Sequence, residues 1–119
     1  MDNYYMDGKS VKLVNFSHGL SAAAKARLEE MVGREVTEAI VPCQIDMDAP
    51  IKPQLDALVE QGYSADLYIP PALSFAAAYV TAKLSYAQSD AYPPYPPTIV
   101  VLRREGTPPQ FMPCEIVRG

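Results

Sequence analysis

Val11-Lys12-Leu13-Val14-Asn15-Phe16-Ser17-His18-Gly19-Leu20-Ser21-Ala22-Ala23-Ala24-Lys25-Ala26-Arg27-Leu28-Glu29-Glu30-Met31-Val32-Gly33 decides the fold. Four of its first six residues are β-branched, apolar or aromatic over a short run, and a polar turn follows, which is a strand pattern. Ser21 then stands where a helix N-cap belongs, the alanines are strong helix formers, and Gly33 is a suitable stop. Leu20, Ala24, Leu28, Met31 and Val32 recur at helical spacing and define one apolar face. A strand leading through a short polar turn into an amphipathic helix is the opening of an α/β unit.

The same alternation continues. Glu35 to Gln44 reads as a second strand centred on Ala39-Ile40-Val41, and Asp46 to Pro50 as a loop. Ile51 to Gln61 is a second helix, with Pro53 tolerated in its first turn and Gly62 as its end. Asp66-Leu67-Tyr68-Ile69 is a short third strand halted by Pro70-Pro71. Ala72 to Gln88 is a third helix whose one charge is Lys83. It is apolar nearly all round and carries Ala76, Ala77, Ala78, Ala82 and Ala87, so it is expected to be sandwiched, with a second face in a dimer contact.

The Tyr92-Pro93-Pro94-Tyr95-Pro96-Pro97 stretch is a stiff, extended connector, or alternatively a docking motif for proline-recognising domains. Thr98 to Arg103 is a fourth strand, and its continuous Ile99-Val100-Val101-Leu102 core implies burial on both faces. After the turn Glu105 to Pro109, Gln110 to Val117 is a fifth strand, placed at an edge because Pro113 interrupts it. The order β-α-β-α-β-α-β-β is that of a small Rossmann-like three-layer sandwich. Its sheet is mostly parallel and closes on a C-terminal antiparallel hairpin.

Bulk properties set limits. One domain, residues 11–119, suits a chain of 119 residues of which 49% are hydrophobic. Residues 1–10 are polar and read as a flexible extension without the features of a secretory signal. No apolar run is long enough to span a membrane, so the chain is expected to be cytoplasmic. Cys43 and Cys114 are far apart and are expected to be reduced and buried, and a single histidine rules out a Cys/His zinc set within one chain. A net charge of −4 argues against long nucleic acid as a partner, yet leaves room for a small anion held by a local pocket.

In open parallel sheets ligands lie beyond the carboxyl ends of the strands. That rule selects Asn15, Phe16, Ser17, His18 and Gly19 after the first strand, and Pro42, Cys43, Gln44 and Asp46 after the second. After the third it selects Pro70, Pro71 and Ser74, and after the fourth Arg103 and Arg104. The first set precedes a helix, where backbone N–H groups suit a phosphate and His18 can donate to an anion or act as a base. The alternative is an ordinary closed turn with a solvated histidine. The chain has no G-x-G-x-x-G and no Walker sequence, so no dinucleotide or other cofactor is expected. Ser17, His18 and Asp46 as a triad, and Asp46 with Asp48 as a cation site, are weak arrangements; no metal is expected.

Lys12-Leu13-Val14-Asn15-Phe16-Ser17-His18, with a helix opening on Leu20-Ser21, resembles the start of the small Csx-type accessory proteins of type III CRISPR systems. The resemblance runs on through Pro42-Cys43-Gln44-Ile45-Asp46, Ile69-Pro70-Pro71-Ala72-Leu73 and Val100-Val101-Leu102-Arg103. That family is similar to CARF domains, which are Rossmann-like dimers binding cyclic oligoadenylate across a two-fold axis. The resemblance implies a CARF-like domain with Asn15, Phe16, Ser17 and His18 on the ligand, supported by Gln44, Pro71, Ala72 and Arg103. It implies a homodimer, with larger assembly on ligand binding as an option. The implied role is to lower free second messenger, either by sequestration or as a metal-independent ring nuclease using 2′-hydroxyl attack, with His18 and Arg103 as candidate catalytic groups. One histidine and no clear lysine at the site favour sequestration. A small-molecule enzyme on the same sheet and an interaction module built on the Tyr92–Pro97 loop are the remaining alternatives.

Overall fold

The computed structural model describes residues 10–63, 65–88 and 97–118. The elements are β1 (Val11–Asn15), α1 (Ala22–Val32), β2 (Val36–Ile40), α2 (Ile51–Gly62), β3 (Leu67–Ile69), α3 (Ser74–Gln88), β4 (Ile99–Glu105) and β5 (Gln110–Val117). They build an α/β fold on one five-stranded sheet of order β2-β1-β3-β4-β5. All neighbours run parallel except β4 and β5, which pair antiparallel.

Alternation along β1 divides the core. Leu13 joins Val11, Val36, Leu67, Ile69, Val100 and the α1 residue Leu28 on one side. Val14 faces the other side with Phe16 and Tyr68, under Leu55, Leu58 and Val59 of α2 and Ala76, Val80 and Leu84 of α3. A strand with both neighbours turned inward is covered on both faces, as the parallel arrangement requires. The caps of α1 follow its sequence: Ser21 Oγ accepts from Ala24 N–H at 3.1 Å, and Gly33 takes φ 79° and donates its N–H to the Glu29 carbonyl.

Several sequence expectations change. Gly62 is not a stop just beyond α2; it is the buried last residue of that helix, and Tyr63 follows as the cap. A Cβ at Gly62 would lie 3.1 Å from Phe16 Cζ and 3.2 Å from Leu84, so the site is glycine to let an aromatic ring and α3 approach. Helix α3 starts at Ser74, leaving Ala72 and Leu73 in the loop. It buries only one face, while Phe75, Ala78 and Ala82 remain exposed on this chain. Strand β4 is not buried on both faces: Val100 is interior, but Val101 is 37% exposed. The reason is length. Ladder pairing with β3 consists of Tyr68↔Ile99, so most of β4 runs past the end of its neighbour. Cys43 and Cys114 are free and half-buried rather than buried.

Strand β5 is at the edge, as Pro113 implied, and Pro113 itself is fully buried at a register shift opposite Val101/Leu102. No helix among the described residues is long and apolar enough to cross a membrane. The expected N-terminal extension, apart from Ser10, and the Tyr92–Pro97 connector, apart from Pro97, lie outside the described residues.

Candidate functional site

The sheet order reverses between β1 and β3, since β1 connects onward to β2 on one side and β3 begins the walk to the other. Loops leaving the two strands part there and open a crevice. The β1–α1 loop and the Pro70-Pro71-Ala72 segment after β3 form its floor.

Asn15 organises the first of these loops from inside. Its side chain is fully buried. Its Nδ2 donates to the His18 carbonyl at 2.6 Å and to Glu38 Oε2 at 2.9 Å, while its Oδ1 accepts from Ser17 N–H at 2.9 Å. The same Glu38 oxygen accepts from Leu20 N–H at 3.0 Å. The loop is thereby held at both ends by two side chains, one from each of two neighbouring strands. The amides of His18, Gly19, Ala22 and Ala23 have no acceptor among the described residues. These donors stand at a helix start, an arrangement that attracts anions. Gly19 keeps the passage narrow, because a Cβ there would lie 2.7 Å from Ile40 Cδ1.

Two cavities share this loop. The larger, about 640 Å³, reaches from His18 and Pro71 across to Val101, Gln110 and Phe111. The smaller, about 350 Å³, lies between His18 and the segment after β2, with Ile40, Cys43 and Gln44. Ser17, His18, Gly19 and Ala72 border both, so they form the ridge between them.

The expected site residues therefore separate into groups. Ser17, His18, Gly19 and Ala72 come together on the ridge, Pro71 joins them in the larger cavity, and Gln44 in the smaller one. Asn15 lines neither cavity, and Phe16 is 1% exposed at the floor of the smaller. Both point inward and act on the loop and the core. Ser74 lies outside both cavities, on the first residue of α3. Arg103 is also outside them, and its guanidinium is engaged by Glu105 Oε2 at 3.2 Å and 3.0 Å. No hydrogen bond joins Ser17, His18 and Asp46 among the described residues. Asp46 instead accepts from Asp48 N–H in a local turn. No group of three or more possible metal ligands occurs among the described residues. Burial pushes the Cys43 thiol up from its ordinary range, away from thiolate chemistry.

Sequence reading missed Glu38, Gln110 and Phe111. Glu38 had a signal, a lone carboxylate in the middle of the strand Val-Thr-Glu-Ala-Ile. The other two had none, because they reach the site through the β4–β5 hairpin. Val101 to Glu105 extend about 16 Å past β3 at the usual rise of a strand. The irregular register at Val101/Leu102 bends such a ribbon. Two contacts tie it to α1: Ser21 Oγ donates to Gln110 Oε1 at 3.0 Å, and Arg27 Nη1 meets Glu105 Oε1 at 2.8 Å.

Arg27 first, and Arg103 next, hold the Glu105 carboxyl below the ordinary carboxylate range. A carboxyl depressed on folding stabilises above its unfolded value, near 4.3, and that contribution is lost as pH falls through the folded value. Glu105→Gln is thus expected to lower the urea midpoint slightly at pH 7, with the difference shrinking as the pH is lowered below the ordinary carboxylate range. Equal midpoints at pH 7 would show that the tether adds nothing.

No family model, curated protein or solved structure matches the chain.

Proposed function

We propose that this chain binds cyclic oligoadenylate, in the form of cyclic tetra-adenylate, as a second messenger of type III CRISPR antiviral defence, and lowers its free level by sequestration. The observation that carries the reading is the ridge at the sheet's switch point. There Ser17, His18 and Gly19 border two adjoining cavities, and the amides of His18 and Gly19 have no acceptor among the described residues. An anion with a ring on either side of its phosphate suits such a ridge. The resemblance of Lys12 to His18 to the Csx-type proteins supplies the messenger, and the mostly parallel sheet is compatible with a CARF-like domain.

A homodimer completes the reading. The exposed Phe75, Ala78 and Ala82 face of α3 offers a close-packing surface for a second copy. A two-fold ligand then meets each pocket twice, so an acidic chain needs only one modest anion site per copy. Larger assembly on ligand binding, a cytoplasmic location and the absence of any cofactor belong to the same proposal. Sequestration is preferred to ring cleavage because Arg103, the cation that cleavage would use, is engaged by Glu105, and His18 is the chain's one histidine.

The test is a thermal-shift panel of cyclic oligoadenylates of different ring sizes, with sedimentation of the same samples. Cyclic tetra-adenylate at a hundred times its Kd is expected to raise Tm by about 10 °C, and the protein to sediment as a dimer. No shift with any ring size would sink the proposal. Intact ligand recovered after denaturation supports sequestration, whereas multiple turnovers would replace it with a ring nuclease.

A further inference from the structure

The β4–β5 hairpin presents chemistry that the core does not need. Phe111 is 57% exposed, although it lines the larger cavity opposite His18. The ladder register sets Arg104 directly across from Phe111. Directly opposed residues of an antiparallel pair extend to the same face. Arg104, like Arg103, lines neither cavity, but it makes no ion pair among the described residues, while Arg27 and Arg103 are both engaged by Glu105. Next to Phe111, Gln110 uses its carbonyl oxygen to accept from Ser21, which leaves its amide nitrogen without a partner among the described residues.

We infer that the hairpin is the nucleobase-recognition wall of the site: Phe111 stacks on a purine, the Gln110 amide donates to a ring nitrogen of that purine, and Arg104 takes an adjoining phosphate. The inference rests on the reading that the ligand is a nucleotide. An exposed ring beside an unengaged guanidinium is the combination that holds bases and phosphates together. The cavity of about 640 Å³ has the size of a small-ligand site. Its polar groups are few and lie at its edges, with the Ser17–Gly19 ridge on one side and Gln110 on the other. A base seated on Phe111 therefore shares one cavity with both. Strand pairing with a second copy is the competing use of this edge, and the buried Pro113 and the register shift blunt it.

The chain has no tryptophan, so Phe111→Trp creates a single tryptophan reporter at the wall, excited selectively over the tyrosines. With cyclic tetra-adenylate as probe, the F111W emission is expected to be quenched. Phe111→Ala is expected to weaken binding by about tenfold or more while leaving the far-ultraviolet spectrum unchanged. Arg104→Ala is expected to flatten the dependence of log affinity on log salt by about 1.4, because each two-fold ring meets two copies of Arg104. If the parent protein binds the probe but F111A stays within twofold and F111W is not quenched, the wall is wrong and the proposed function stands. If the parent protein binds no cyclic oligoadenylate, the proposed function fails, and titration of F111W with adenosine monophosphate decides the wall alone. Quenching retains it and unchanged emission overturns it. A change from dimer to monomer in F111A would assign the hairpin to self-association and also overturn it.

Discussion

Asn15→Ala is expected to unfold at a much lower denaturant concentration than the parent protein, with a loss of about 3 kcal/mol. The substitution removes the donor to His18 and Glu38 and the acceptor of Ser17 N–H together. Each ordinary hydrogen bond contributes about 1 kcal/mol, the one to a carboxylate more, and the groups left behind lose their partners in an interior site. Every buried side-chain polar atom among the described residues has a partner, so this network has no spare member to take over. The loop should also lose its shape. In N15A under conditions where it remains folded, the loop is no longer fixed by these bonds, and ligand binding should fall. Asn15→Asp retains the acceptor for Ser17 but sets a second carboxylate beside Glu38, so it is not expected to rescue. A urea midpoint for N15A equal to that of the parent would mean that the buried carboxamide does not organise this loop.

Phe16→Ala is expected to cost about 3–5 kcal/mol, a large share of the roughly 5–15 kcal/mol that stabilises a domain of this size. The ring is 1% exposed and belongs to the cluster formed with Leu55, Val59, Val80 and Leu84. It sits against Gly62, at the place where a Cβ would be 3.1 Å from it. That neighbour cannot expand to fill the space, so a cavity remains and adds its own cost. Phe16→Leu keeps most of the volume and should recover much of the loss. The pair also separates core from ligand contact. If Phe16 acts only through the core, F16L binds cyclic tetra-adenylate like the parent protein once both are folded. A folded F16L with normal stability and lost binding would restore Phe16 to the ligand.

Both residues stood among the expected ligand contacts, and the structure buries both side chains. Position along the chain located the loop correctly, because a strand followed by Ser17-His18-Gly19 and a capped helix leaves few alternatives. Position does not say which side chains turn inward. Val14 and Asn15 alternate, but Asn15 finds its partner in Glu38, 23 residues away in an adjacent strand. The arginines differ for a local reason: Arg103 lies two residues before Glu105 on one strand, which sets the two on the same face, and Glu105 engages it. The apolar run Ile99 to Leu102 looks like a fully covered strand, yet β3 is too short to flank it.

The sequence by itself determined the order of elements, the parallel class of the sheet, the caps of α1 and the segment from which a site would be built. These depend on neighbours a few residues apart: hydrophobic period, helix-former content, and the turn chemistry of Ser, Gly and Pro. Only the tertiary structure decided that Asn15 faces inward, that Glu38 holds the loop and that the hairpin supplies Phe111 and Gln110. Those outcomes rest on contacts such as Ser21 with Gln110, 89 residues apart, and Arg27 with Glu105, 78 apart. Such pairs meet because of strand order, overhang and register, and none of those is written in the local pattern of either partner.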